Sequence, residues 1–332
     1  MKVMLPFKYP CIVDSFSGVA NNVGIYMNYS QYYTPLLIAN HFLITYSFEL
    51  GHGGYNWNYY NDDYGYSIDI REQAREKGVI ETIKYYLNNK RYVRLLMDFY
   101  YIKNSPWYCD DEHLLHWMPI IIGYDEEKKV FFLCDNLFNG KYEMIEVTFD
   151  EVINARKGHE NEIIECCYFD EKIDFELSID DLKTLIRSYI DGDCYINKNY
   201  VTYNREDVKL QRKELFGIQV YDIMINLVDE LYVSDLAYDV KTFHVMLDHI
   251  RVCNVMMKWL KDMKFVENVD VGTLDWATEK YNELLEKTIE IQNLYIKFSI
   301  TNGENEKESL LKKIKFNREM EINVLQKILT II

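Results

Sequence analysis

Residues 114–136, LLHWMPIIIGYDEEKKVFFLCDN, restrict the fold more than any other stretch of this chain. Trp117 to Tyr124 is an apolar run broken only by Pro119 and Gly123. Asp125, Glu126, Glu127 and Lys128 then supply a turn, and Val130 to Cys134 is a second apolar run. That pattern predicts two antiparallel strands and a tight connection. His116 enters the first strand and Asp135 leaves the second, so the hairpin sets the two side chains next to one another. A carboxylate beside an imidazole fixes its tautomer and stabilises the imidazolium formed on proton abstraction, which is what a general base needs. The same residues also suit a hydrogen-bonded strand edge and an ordinary turn former, and the hairpin itself holds no nucleophile.

A chain of 332 residues that is 48% hydrophobic can bury a sizeable core and allows two domains more readily than one. Its 37 basic and 53 acidic residues give a net charge of −16, which argues against a nucleic-acid surface and against an anionic-membrane anchor. No apolar window of about 20 residues exists, and the N-terminal MKVMLPFKYPCIVDSF lacks the pattern of a signal peptide. Seven cysteines at irregular positions, 11, 109, 134, 166, 167, 194 and 253, fit a reducing cytoplasm with thiols mostly buried.

After Pro10, the positions Ile12, Phe16, Val19, Ala20 and Val23 recur at helical spacing, and Gly24 is a stop signal. Cys11 falls on the first turn, where free N–H groups and the helix dipole stabilise a thiolate. Cys11 is therefore either a nucleophile or a small apolar residue covering a helix end. Asp14 opposes a thiolate, and Ser15 is either a second nucleophile in this turn or, with Asp14, a cap for the helix. Residues 28–71 are rich in Tyr, Asn and Gly and read as an irregular, aromatic-bearing region; GHGG at 51–54 is too short for a phosphate loop.

Residues 69–88 predict one amphipathic helix with Ile80, Ile83 and Leu87 on a shared face. VRLLMDFYYI, 93–102, predicts a buried strand, within which Asp98 requires the open face or a specific partner. Cys109, His113 and His116 have metal-ligand side chains at spacings of four and three, but no fourth ligand is evident, and neither metal nor cofactor is expected. VTFDEVINARKG, 147–158, predicts a strand end and a helix capped by Asp150 and stopped by Gly158, and EIIECCYFD a last strand. From about residue 170 the chain turns to long helical stretches. Met246, Ile250, Cys253, Met257 and Leu260 form a core stripe there, while His244 and His249 have no partner visible in sequence.

The order Cys, His, Asp is that of papain-like folds, and several stretches together resemble the butirosin biosynthesis protein H family. PCIVDSFSGVANNVG sets Cys11 before a helix as that family sets its nucleophile. NYSQYYTPLLIANHFLITY is similar to its Ser-Glu-bearing segment, with Gln31 where an acid is usual. VRLLMDFYYI, HWMPIIIGYDEEKKVFFLCDN and VTFDEVINARKG, the last with Ala155 and Arg156, follow in the family's order. The matches cover most of residues 8–160.

The resemblance implies an α+β fold: a papain-like (C39-peptidase-like) catalytic domain with a central antiparallel sheet over 1–168, then an all-α domain over 169–332. It implies Cys11 as nucleophile, His116 as base and Asp135 as its orienter. The activity implied is transfer of an acyl group from an acyl or peptidyl carrier protein thioester to a small-molecule amine in natural-product assembly. Backbone N–H groups at the helix start serve such chemistry as an oxyanion hole. Phe7, Lys8 and Tyr9 stand where papain-like peptidases place a Gln, which weakens the alternative of a cysteine peptidase or amidase. A non-catalytic scaffold of the same fold is the third reading. Arg71, Arg75 and Lys77, or Lys307, Lys312, Lys313, Lys315 and Arg318, are the basic clusters available to an acidic carrier protein, or are solvated helix faces.

Overall fold

A computed structural model describes residues 1–7, 30–42, 45–49, 52–54, 65–109, 113–116, 119–137, 142–169, 177–192, 214–231, 241–263, 270–301 and 303–332. Cys11, Asp14, Ser15 and the helix expected after Pro10 lie outside the described residues. The chain forms two compact units: Met1–Tyr33 with Asp62–Asp174, and Thr34–Asn61 with Phe175–Ile332.

In chain order, β1 (Lys2–Met4) opens the first unit. Next come α1 (Ser30–His41), which passes into the second unit at Thr34, and β2 (Thr45–Glu49) and β3 (His52–Gly54) of that unit. The chain re-enters the first unit with β4 (Gly65–Asp69), α2 (Arg71–Lys77), α3 (Val79–Asn88), β5 (Tyr92–Leu95) and β6 (Met97–Asp98). A 3₁₀ turn over Phe99–Tyr101 leads to β7 (Leu115–His116), β8 (Ile120–Asp125), β9 (Val130–Asn136), β10 (Tyr142–Thr148), α4 (Phe149–Arg156) and β11 (Ile164–Phe169).

The first unit is α+β. Its main sheet runs β10-β9-β8-β5-β11-β4, with β1 on β8, and every pairing is antiparallel. β8 is the spine: Ile120 to Tyr124 are all buried, whereas the edge strand β10 buries only Val147. The β8–β9 turn forms because Asp125 accepts from the backbone N–H of Glu127 and Lys128 at 3.0 and 3.3 Å, and Lys129 takes φ 54°. Ile83 and Leu87 of α3 and Val152 and Ala155 of α4 are buried with the sheet residues Val93, Leu95, Phe131 and Leu133.

Three local expectations are corrected. The single helix over 69–88 is two, because Gly78 adopts φ 84°, ψ 148° and closes α2 before α3 starts. The strand over 93–102 ends at Leu95 and resumes only for Met97–Asp98. The reason is that the Leu96 carbonyl accepts from Arg156 Nη1 at 3.0 Å, and Asp98 turns to cap the 3₁₀ turn through Tyr100 N. The cap of α4 is Thr148, not Asp150: its hydroxyl accepts from Glu151 N at 3.1 Å while Glu151 accepts from Thr148 N at 2.6 Å.

The second unit is mainly helical: α5 (Ile179–Asp191), α6 (Val220–Leu231), α7 (Lys241–Asp262), α8 (Val271–Thr301) and α9 (Glu304–Leu329). The stripe expected as core is core, since Met246, Ile250, Cys253, Met257 and Leu260 are all buried. It also carries a short antiparallel sheet in which β2 pairs β3 on one side and β12 (Glu214–Phe216) on the other. Residues 34–61 therefore belong here and not with the first 168 residues, because β2 finds its partner beyond residue 213. Among the described residues no helix is long and apolar enough to cross a membrane.

Candidate active site

β6 and β7 form a two-residue ladder, Met97 opposite His116 and Asp98 opposite Leu115, which delivers His116 to the end of β9. There His116 Nδ1 lies 2.6 Å from Asp135 Oδ2. A carboxylate only accepts, so Nδ1 is the donor, and in the neutral ring the lone pair is on Nε2. Asp135 is completely buried and His116 is 17% exposed. That asymmetry suits a fixed orienting anion and a base that solvent-borne groups can approach.

Two rings fix the imidazole in place. Phe99 stacks on it at 4.1 Å between centroids, and Trp107 leans on it at 4.6 Å. Ser105 couples those rings, since its hydroxyl donates to Phe99 O at 3.1 Å and accepts from Trp107 N at 3.2 Å. Sequence reasoning missed Phe99, Ser105 and Trp107; an apolar strand and a polar turn carry no local sign of a shared histidine.

A second pair stands next to the first. Asp98, buried, accepts from Tyr100 N at 3.1 Å and meets His113 Nδ1 at 2.5 Å, and the His113 ring stacks on Tyr100 at 4.3 Å. Asp98 thus has the specific partner its burial requires. His113 is committed to Asp98 and His116 to Asp135. Among the described residues the only trio of His, Cys or acidic donors that converges lies in the helical unit, and Cys109, His113 and His116 are not brought together as one. Cys109, exposed and at φ 53°, instead lines an open cleft of about 570 Å³ with Tyr100, Tyr101, Tyr108 and Glu151. None of Phe99, Trp107, His116 and Asp135 lines that cleft.

The other described thiols of this unit are poor nucleophiles. Burial pushes Cys167 up to about 12, and burial likewise raises Cys134 and Cys166. Several residues of the basic clusters are tied to local partners: Arg71 to Asp69, Arg75 to Asn161, Lys307 to Asp229, Lys313 to Glu290 and Arg318 to Asp222. No protein-family model matches this sequence, and no curated protein matches it.

Proposed function

We propose that the chain is a cysteine-dependent acyltransferase with a papain-like first domain, moving an acyl group from a carrier-protein thioester to an amine acceptor. The observation that carries this reading is the 2.6 Å contact of His116 Nδ1 with fully buried Asp135, a base already held in one tautomer. A second observation supports Cys11 as the nucleophile. The Phe7 ring stacks on Tyr142 at 6.0 Å, and Tyr142 is the β10 partner of Asn136, the residue after Asp135. Three residues lie between Phe7 and Cys11, a tether of at most about 14 Å that starts beside the end of β9.

In the proposed reaction His116 Nε2 takes the Cys11 thiol proton and the thiolate adds to the thioester carbonyl. The carbon–sulfur bond to the carrier breaks, and the carrier thiolate leaves with the proton held by His116. An amine then adds to the acyl-Cys11 carbonyl and gives a proton to Nε2. The Cys11–acyl bond breaks, and the returning proton restores the thiol. Exchange between thioesters is nearly balanced in energy; amide formation makes the second step irreversible.

The test is incubation of the full chain with an acyl-carrier thioester, with and without a small amine, followed by intact-mass spectrometry. An acyl adduct lost in Cys11→Ala, and consumed when amine is added, is the expected result. Asp135→Asn should lower the transfer rate by about 10³ to 10⁴. Cleavage of peptides without any acyl adduct indicates the peptidase reading instead, and activity undiminished in Cys11→Ala refutes both.

A further inference from the structure

In the helical unit, α7 presents His249 and Cys253 four residues apart on one face, and α9 brings Glu321 against them. His249 Nε2 lies 2.7 Å from Glu321 Oε1 and 3.5 Å from Cys253 Sγ. All three side chains are 0% exposed, and the three donor atoms lie within 4.8 Å of one another. This is not a second catalytic triad. There, the carboxylate and the nucleophile sit on opposite nitrogens of the histidine; here both face the same nitrogen. The other nitrogen, Nδ1, is 2.9 Å from the His41 carbonyl and must donate to it.

That commitment decides what can lie at the centre. With one proton fixed on Nδ1, His249 Nε2 faces a carboxylate at hydrogen-bonding distance, an arrangement that needs a positive charge between them, either a second ring proton or a metal ion that takes its place. We infer that His249 Nε2, Cys253 Sγ and a Glu321 carboxylate oxygen are the protein ligands of a structural zinc site in the core of the helical unit.

The surroundings are those of a metal centre. The His41 carbonyl orients the histidine as outer partners of ligating histidines do. Tyr189 and Tyr221 hydroxyls donate to Glu321 Oε1 and Oε2 at 3.1 and 2.6 Å, holding the carboxylate. The Tyr281 hydroxyl is fully buried without a hydrogen bond of standard geometry, and Cys253 and Glu321 are the leading charges acting on it.

Donors bound to a tetrahedral zinc at 2.0–2.3 Å lie roughly 3.4 Å apart, so the Cys253 to His249 spacing already fits and Glu321 needs to withdraw by roughly 0.7 Å. The charges also balance. A divalent ion displaces the proton on Nε2 and the thiol proton, so the buried cluster exchanges two protons for one dication with no net change. Mixed N, S and O donors select zinc over magnesium or calcium. With every ligand buried, loading accompanies folding.

The test refolds the full chain with zinc chloride, dialyses it against metal-free buffer and measures zinc by mass spectrometry. One zinc per chain is expected for the wild type, none for Cys253→Ala with an unchanged circular-dichroism spectrum, and regained binding for Cys253→His. Wild type without zinc, or zinc retained in full by Cys253→Ala, overturns the site. Should Cys253→Ala fail to fold, cobalt takes the place of zinc. A thiolate-to-cobalt charge-transfer band in the wild type, with cobalt held at least about tenfold more weakly by Glu321→Gln, is then the expected result. A missing band, or equal affinity, rejects it.

Discussion

The imidazole of His116 lies flat against the ring of Phe99, 3° from parallel. Phe99 is fully buried, so it acts as a floor that fixes the plane in which the His116–Asp135 hydrogen bond can form. In Phe99→Leu the volume is nearly kept and the flat surface is lost. Stability should fall by less than about 1.5 kcal/mol. Misplacing the base should lower kcat for acyl transfer about 10- to 100-fold with KM little changed. Steady-state kinetics beside urea unfolding checks this; an unchanged kcat would remove Phe99 from the site.

Gly123 lets β1 approach β8. A Cβ there would stand 2.4 Å from Val3 O and 3.0 Å from Met4 Cα, both backbone atoms that cannot rotate away. Gly123→Ala should therefore displace β1, the strand that leads the chain toward Cys11, and leave the β8–β9 hairpin paired. The expected outcome is faster hydrogen exchange at Leu5 N, which donates to Ile122 O at 2.8 Å, together with loss of acyl-Cys11 formation. Protection at Leu5 equal to wild type would contradict it.

Arg156 is buried and spends its guanidinium on three carbonyls: Leu96 and Ile163 through Nη1 at 3.0 and 3.1 Å, and Glu162 through Nη2 at 3.1 Å. It is the tie that ends β5 and so starts the β6–β7 ladder carrying His116. Arg156→Ala strands carbonyls at about 1–3 kcal/mol each, and a loss of roughly 3–5 kcal/mol is expected by urea denaturation. Arg156→Lys should recover only part, because an ammonium cannot span all three.

Cys167 gives the pH dependence a sign. Burial, opposed by Arg94 and reinforced by Glu165 and Cys166, raises the folded thiol from 9.0 to about 12. The unfolded thiol gives up its proton first. Its contribution to stability is thus complete below about pH 9 and is lost as pH climbs toward the folded value. The urea midpoint should decline as pH rises from about 9 toward about 12, and decline less steeply in Cys167→Ala. Equal slopes would exclude the thiol as the cause.

What the sequence made legible was local. The β8–β9 hairpin could be read because two apolar runs flank a turn whose Asp125 organises it, and α6 to α9 because each repeats its apolar face along its own length. Contacts between distant segments left no such mark. The cage of Phe99, Ser105 and Trp107 around His116 and the Arg156 bridge to Leu96 depend on residues that meet only after folding. So does His249, which looked solitary because Glu321 lies 72 positions onward. The Gly78 break was missed for a different reason: the apolar spacing continues across it, and only the backbone angle of that glycine separates α2 from α3.

Because β2 is stitched to β12 while the segments before and after residues 34–61 belong to the other unit, the two units alternate along the sequence. No single cut can release either one whole. A fragment stopped near residue 174 would carry β2 and β3 without the strand that completes their sheet, and a fragment started there would lack them altogether. Separate production of the helical unit calls for residues 34–61 to be supplied as well, fused or in trans.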